Sequence, residues 1–297
     1  MILLTGATGT IGSALLTRLT ASGQPVRCLV RDPRQLGAQR VRVQIAMGDL
    51  ADPGSFRNAL RGVDTVVHLA ASIRDQPRAS IEELNAVATL RLLRAAERTG
   101  VSHFVFASAL GATLHSRTAF FRAKALAEDA VEQSHLRTTV FAPSIVYTPG
   151  DPWLTLLKRF SYLPTMPVSG SGESVYQPIW AEDAADCVMA SLNGGAEGAR
   201  RYELAGPHTL SHDQIVRIAI RSFGRRRRLL HLPLPFVRRS LDLAELFAGP
   251  QVFATWDEAE LMELSMTSER GTADAETLGV RPRSMVDVLA VPSAATG

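Results

Sequence analysis

Short apolar runs alternate with helix-period patterns through the first half of the chain. The runs predict strands over residues 2–5, 26–30, 43–47, 65–69, 103–107 and 138–142. Between the first two, Ile11, Leu15 and Leu19 fall on one face of a helix that starts near Thr10 and stops at Gly23. Asp52 followed by Pro53 is an N-cap and first-turn pair that opens another helix. Longer helical patterns cover 81–99, closed by Gly100, and 117–134. This alternation predicts an α/β fold, a doubly wound parallel sheet of the Rossmann type.

After about Pro143 the texture changes. Turn-rich segments appear at Thr148-Pro149-Gly150-Asp151-Pro152 and Ser169-Gly170-Ser171-Gly172, and the helices become less regular. Ser211-His212-Asp213-Gln214 is a capping box that opens one of them. The reading is a nucleotide-binding domain over 1–150 and a smaller substrate-side lobe over 151–297, woven onto the first and covering the carboxyl ends of the strands.

Composition narrows the class. The 297 residues are 46% hydrophobic and 21% charged, which is ordinary for a globular chain. A net charge of +3 signals no nucleic-acid partner. Cys28 and Cys187 read as buried reduced thiols, and the absence of a disulfide framework favours a reducing compartment. Met1-Ile2-Leu3-Leu4 runs straight into a strand rather than a signal peptide. No apolar run reaches the about 18 residues of a membrane span. The expectation is a soluble, cytoplasmic protein.

The sharpest chemical signal is Thr5-Gly6-Ala7-Thr8-Gly9-Thr10-Ile11-Gly12, three glycines directly after a strand and opening a helix. In such a turn Gly6 permits the tight bend, Gly9 lets backbone N–H groups approach a pyrophosphate, and Gly12 allows close helix–strand packing. Thr8, Thr10 and Ile11 complete the loop, and the helix N-terminus offers unpaired donors and a positive dipole end. The second strand ends Leu29-Val30-Arg31-Asp32. An acidic residue there holds the ribose 2′-hydroxyl of NAD, whereas an arginine accommodates a 2′-phosphate. Arg31 takes the strand-end place with Arg27, Arg34, Arg40 and Arg42 nearby, so NADP(H) is favoured over NAD(H). In the competing reading Arg31 faces solvent and Asp32 takes the hydroxyl.

The turn at 5–12 belongs to a wider set of motifs. Gly48-Asp49-Leu50, His68-Leu69-Ala70-Ala71, Phe106-Ala107-Ser108-Ala109, Pro143 through Asp151, and Gln177 through Asp183 follow in order. Together the chain resembles the extended and atypical short-chain dehydrogenase/reductases. It is most similar to the atypical subgroup of the complex I nucleotide-binding accessory subunit and the NmrA-like proteins. The resemblance implies that Asp49 and Leu50 contact adenine and that Ala70 and Ala71 line the cofactor path. It implies that Lys124 bonds the nicotinamide ribose and that Pro143 contacts the carboxamide. Plain packing for the alanines, and a Lys124–Glu128 pair one turn apart, are the structural alternatives.

The family's catalytic pair is Tyr-x-x-x-Lys, and here the same spacing reads Phe120-Phe121-Arg122-Ala123-Lys124. Phenylalanine has no proton to give, and Ser108 and Ala109 compete for the family's serine position. A substitute acid must come within hydrogen-bonding reach of the reacting oxygen. His115 has the most suitable ordinary pKa, and Ser116 and Tyr147 are further candidates. Tyr147 reads equally as a wall residue, as do Trp153, Tyr176 and Trp180. The candidate catalytic set is therefore Lys124, Ser108 and His115, with no metal. Arg225–Arg239, with Phe236, Val237, Leu241, Leu243, Leu246 and Phe247, reads mainly as a solvated turn and a packed helix. A membrane-surface or acidic-partner contact is the second reading. Two function classes stay open: an NADP(H)-dependent oxidoreductase acting on a small apolar carbonyl or quinone-like compound, and a non-catalytic NADP(H)-binding redox sensor or assembly protein. Nucleotide-sugar epimerisation or dehydration is disfavoured, because it leans on the absent tyrosine.

Overall fold

The computed structural model describes residues 1–76, 79–195, 201–239 and 256–290. Its centre is a seven-stranded parallel sheet. The strands are β1 (Ile2–Thr5), β2 (Val26–Val30), β3 (Gln44–Met47), β4 (Thr65–His68), β5 (His103–Ala107), β6 (Arg137–Pro143) and β11 (Arg201–Leu204); the short strands β7 (Val146–Tyr147), β8 (Thr165–Ser169), β9 (Val175–Tyr176) and β10 (Ile179–Trp180) lie outside it. The order β11-β6-β5-β4-β1-β2-β3 reverses direction between β1 and β4, the switch point where open α/β sheets bind ligands. The predicted α/β fold is the observed one, and the predicted strands all form.

The last strand of the sheet was not foreseen. Arg201-Tyr202-Glu203-Leu204 pairs with Val140–Pro143, so chain from beyond residue 200 re-enters the nucleotide-binding sheet. Tyr202 and Leu204 are buried while Arg201 and Glu203 are half-buried. That alternation marks a half-covered edge strand, unlike the continuous apolar runs of β4 and β5.

Helices cover both faces. On one, α1 (Thr10–Ala21) packs against α6 (Ala181–Ala190), burying Leu15, Leu16 and Leu19 with Ala184, Cys187 and Val188. Arg18 fastens the pair: its Nε donates to Asp186 Oδ1 at 2.5 Å and its other nitrogens reach the Glu182 carboxylate and carbonyl. On the other face, Leu92, Leu93 and Ala96 of α3 (Ala88–Thr99) meet Ala127 and Val131 of α4 (Ala119–Glu132). A third apolar cluster joins Leu154 and Leu157 of α5 (Pro152–Phe160) to Ile215, Val216 and Ala219 of α7 (His212–Ser222). It also takes in Met166 and Val168 of β8 (Thr165–Ser169).

Helix ends follow their sequence signals. Gly23 and Gly100 take positive φ, 72° and 78°, where a side chain would be strained. Asp52 caps the short helix α2 (Pro53–Phe56), which passes into a 3₁₀ turn at Arg57–Leu60. The helix expected over 81–99 contains a π-turn at Glu83–Val87. Asn85 sits in that turn and ties it to the chain leaving β4, its amide donating to Ser72 O at 2.7 Å and to Ile81 O at 2.8 Å. The Ser211 capping box forms as read. Among the described residues no helix is long and apolar enough to cross a membrane. The predicted amphipathic positions Leu241, Leu243, Leu246 and Phe247 lie outside the described residues.

His68, at the end of β4, is fully buried between β1 and α3. Its Nδ1 lies 2.6 Å from Thr5 Oγ1 and its Nε2 2.9 Å from Thr89 Oγ1, whose own proton goes to Asn85 O at 2.7 Å. The chain of bonds fixes a neutral ring, with Nε2–H donating and Nδ1 accepting. Burial, with the Lys124 charge adding to it, pushes the His68 pKa down from 6.5 to about 3. Between those values the unfolded chain binds a proton that the folded one refuses, so stability falls as pH is lowered through that window. The stability advantage of the wild type over His68→Gln is expected to shrink from about pH 7 to about pH 4, measured by urea unfolding at each pH.

Candidate functional site

A cleft of about 980 Å³ opens at the carboxyl ends of β1, β2, β3, β4, β5 and β6 and runs on into the lobe built from α5, β8 and α7. That is the upper end of the range for small-molecule sites. Its floor is the predicted glycine turn, with Gly6 through Gly12 all lining it. Gly6 has φ of 73°, and a Cβ placed on it would stand 2.5 Å from the Ala70 amide nitrogen. A Cβ on Gly12 would stand 2.0 Å from Gly6 O, so this glycine protects the turn itself. Gly9 differs: its Cβ would meet only Gly6 O, at 3.2 Å, and would otherwise project into open space. Gly9 is also the N-cap of α1, with no side chain capping the first turn. Free helix N-terminal donors above a cradle that a methyl group would fill suit a pyrophosphate.

Around this floor the strand ends supply Arg31, Asp49, Leu50, Ala70, Ala71, Ser108 and Pro143, all lining the cleft. Arg31 is exposed and donates to the Gln76 side chain across the opening. Asp32 does not line it; its carboxylate accepts the Arg34 backbone N–H at 2.9 Å and pairs with the Arg34 guanidinium. That guanidinium holds the Asp32 carboxyl below its ordinary pKa. Asp49 Oδ1 accepts from Ala51 N–H at 3.0 Å and so shapes the loop leaving β3.

The predicted catalytic residues are less well placed. Lys124 is 2% exposed, and its Nζ donates to Ala107 O at 2.6 Å. It lies 4.8 Å from the centre of the Phe106 ring and 5.8 Å from that of Phe120. Phe120 lines the cleft and Lys124 does not. Burial pushes the Lys124 pKa down to about 7, against the raising effect of Glu128. The Lys124–Glu128 pair considered from sequence does not form. Glu128 instead accepts Ser108 Oγ–H and pairs with Arg201 Nε at 2.5 Å. Ser108 therefore lines the cleft with its hydroxyl committed to Glu128. His115 is exposed, and neither it nor Ser116 lines the cleft. Tyr147, Tyr176 and Trp180 also lie off it, whereas Trp153 is part of its wall.

Beyond Pro143 the wall is apolar: Trp153, Leu157, Phe160, Val168, Val216, Leu261 and Met266 line it. Arg74 and Glu258 join across it, Nε to Oε1 at 2.8 Å. Sequence reasoning missed His212, which lines the same chamber; its capping-box context was read only as a helix start. In the basic stretch, Arg225 stacks on the Tyr162 ring at 3.8 Å and Arg227 donates to Ser161 O and Leu163 O, contacts within the lobe. Among the described residues no cluster of histidine, cysteine or acidic side chains could hold a metal.

Two glycine substitutions separate folding from binding. Gly12→Ala is expected to cost about 1–3 kcal/mol of stability, read in a melting curve, because backbone must move. Gly9→Ala is expected to melt near the wild type yet weaken NADPH binding at least about tenfold in a calorimetric titration.

Comparison with known proteins agrees with the fold and the turn. The family described as NAD(P)H-binding matches residues 6–155, just over half of the chain. The mitochondrial NADH dehydrogenase (ubiquinone) 1 alpha subcomplex subunit 9 of Arabidopsis thaliana is 27% identical over 260 residues, 84% of this chain. The match spans 62% of that relative, less than two thirds of its length. The ceramide reductase of Caulobacter vibrioides is 26% identical over 273 residues, 90% of this chain and 86% of that one. Among solved structures, a nucleoside-diphosphate-sugar epimerase from Staphylococcus aureus superposes with a TM-score of 0.78 at 19% identity, covering 97% of this chain and 99% of that one. The protein belongs to the NAD(P)H-binding family of Rossmann-type, atypical short-chain dehydrogenase/reductases.

Proposed function

We propose that the protein is an NADP(H)-dependent reductase acting on a small apolar carbonyl or quinone-like compound. The observation that carries this reading is a single cleft running from the glycine turn, past Arg31 and Pro143, into an apolar chamber. Residues 1–150 then act as the nucleotide-binding part and 151–297 as the substrate side, interwoven through β11. The capture of Asp32 by Arg34 leaves Arg31 as the strand-end side chain in the cleft, which supports a 2′-phosphate over a free ribose 2′-hydroxyl. Relatives named as a ceramide reductase and an NAD(P)H azoreductase support reduction as the reaction class. The buried free thiols of Cys28 and Cys187 support a reducing compartment such as the cytoplasm.

A bound nicotinamide would supply a hydride. The chain's own residues bind and orient: Gly9 and the α1 N-terminus hold phosphate, Pro143 and Phe120 shape the mouth of the chamber, and the apolar wall excludes water. With Phe120 in the tyrosine place and the Ser108 hydroxyl on Glu128, no predicted proton donor faces the substrate. Acceptors whose reduced form can leave as an anion and take its proton from solvent after release, such as quinones, suit this site best. The same two observations favour a second reading, a non-catalytic NADP(H)-binding protein in which the nucleotide stabilises the fold.

The test is NADPH oxidation, followed by absorbance, against a panel of apolar quinones, enones and ketones. The expected result is turnover with NADPH preferred to NADH, and a preference reduced at least about tenfold by Arg31→Asp, a change of about 1.4 kcal/mol. NADPH binding without turnover across the whole panel supports the non-catalytic reading instead.

A further inference from the structure

Among the described residues, three buried side-chain polar atoms have no hydrogen-bond partner: Tyr147 Oη, Ser169 Oγ and His212 Nδ1. Two of the three, Ser169 and His212, line the cleft, and both lie in its apolar part. An unpaired buried polar atom is costly, and a native chain retains one where something else supplies the bond.

The surroundings hold these groups in place. His212 is 6% exposed, the first residue of α7, with its backbone N–H on Ser174 O at 2.9 Å. Its ring meets that of Tyr176 edge-on, at 6.4 Å between centres. The turn that follows Ser169 closes against the same helix start, Asp213 N–H donating to Gly172 O at 3.1 Å. Asp213 is itself engaged with His231 Nε2 at 2.9 Å and does not line the cleft. Burial lowers the His212 pKa, so the imidazole is neutral and its Nδ1 can donate or accept according to tautomer.

The charge of the wall limits the ligand. Among the described residues, the cations lining the cleft are Arg31, at the nucleotide end, and Arg74, paired with Glu258. A carboxylate or phosphate in the apolar part would find no free cation among the described lining residues. A neutral oxygen needs no cation, and Ser169 and His212 are the described lining residues that carry unpaired buried polar atoms.

We propose that His212 Nδ1 and Ser169 Oγ are the polar anchors of the substrate chamber. They hold a hydroxyl or carbonyl oxygen of an uncharged, lipid-like compound whose apolar body lies among Trp153, Phe160, Val216 and Leu261. The assignment rests on the reductase reading and gives its substrate a chemical class.

The experiment titrates 2-undecanone, 2-undecanol, undecane and undecanoate into the full chain, alone and with NADP⁺, following binding by calorimetry. The wild type is expected to bind the ketone and alcohol more tightly than the alkane or the carboxylate. His212→Leu and Ser169→Ala should each weaken ketone binding about fivefold, the worth of one net hydrogen bond. Both should leave the alkane and NADP⁺ affinities unchanged, and neither should lower the melting temperature, because each removes an unpaired polar atom. His212→Asn, which keeps a polar atom near the Nδ1 position, should retain ketone binding, and with Ser169→Ala it preserves the test if the leucine variant fails to fold. Equal binding of ketone and alkane, strongest binding of undecanoate, or an unchanged preference in the variants overturns the proposal. Intact discrimination without NADPH oxidation of any ketone removes the reductase reading and leaves the anchors. Oxidation with no effect of either substitution does the reverse.

Discussion

A methyl group on Gly6 would press within 2.5 Å of the Ala70 amide nitrogen, and one on Gly12 within 2.0 Å of the Gly6 carbonyl. The turn between β1 and α1 thus lies as close to the end of β4 as a backbone can. Thr5, one residue earlier, is bonded to His68 on β4, so the approach is held from below by a buried polar chain as well as by sterics. That closeness places the α1 N-terminus over the switch point of the sheet. It also sends the chain leaving β4, Ala70 through Gln76, along the side of the cleft. Asn85 in the π-turn then bonds Ser72 and keeps that chain in position. The π-turn is a local irregularity at the edge of a functional site, a common setting for one.

The glycine turn opens on the cleft, whereas Lys124 and the Ser108 hydroxyl are committed to partners within the protein. The cradle of the glycine turn is built from backbone, with side chains forbidden at Gly6 and Gly12. The conventional acid–base apparatus has been turned inward. Lys124 donates to a β5 carbonyl beneath Phe106 and Phe120, and Ser108 donates to Glu128, which Arg201 of β11 also holds. Ser108, Glu128, Arg201 and Glu203 link the floor of the cleft to the late strand that completes the sheet. That network ties the end of β5 and the helix α4 to β11.

The fold was legible because β1, β2, β4 and β5 are apolar runs, their connecting helices carry Gly stops at 23 and 100, and the glycine spacing at 6, 9 and 12 has one physical explanation. The places where reading failed share a cause. Arg201–Leu204 is a short alternating segment whose partner, β6, lies far away in sequence, and no local pattern announces such a pairing. Ser108 and Lys124 were correctly placed at a strand end and on a helix, yet the direction of their polar atoms depends on Glu128, Ala107 and Arg201, which only packing brings together. His115 drew attention by its residue type and its position before a helix, whereas His212 was absorbed by a capping motif. Burial separates the two, and burial of a single polar side chain is a property of the tertiary structure.

The central claim is that the cleft brings a nicotinamide and an apolar acceptor together for hydride transfer. The most direct measurement is the fate of deuterium from NADPH labelled at the transferring C4 position, with apolar quinones, enones and ketones as acceptors and both cofactor and product read by mass spectrometry. Hydride transfer predicts NADP⁺ that has lost the label, with one deuterium on carbon wherever the product is a reduced enone or ketone. Bound NADPH that keeps its label through prolonged incubation with every such acceptor, quinones included, would contradict it.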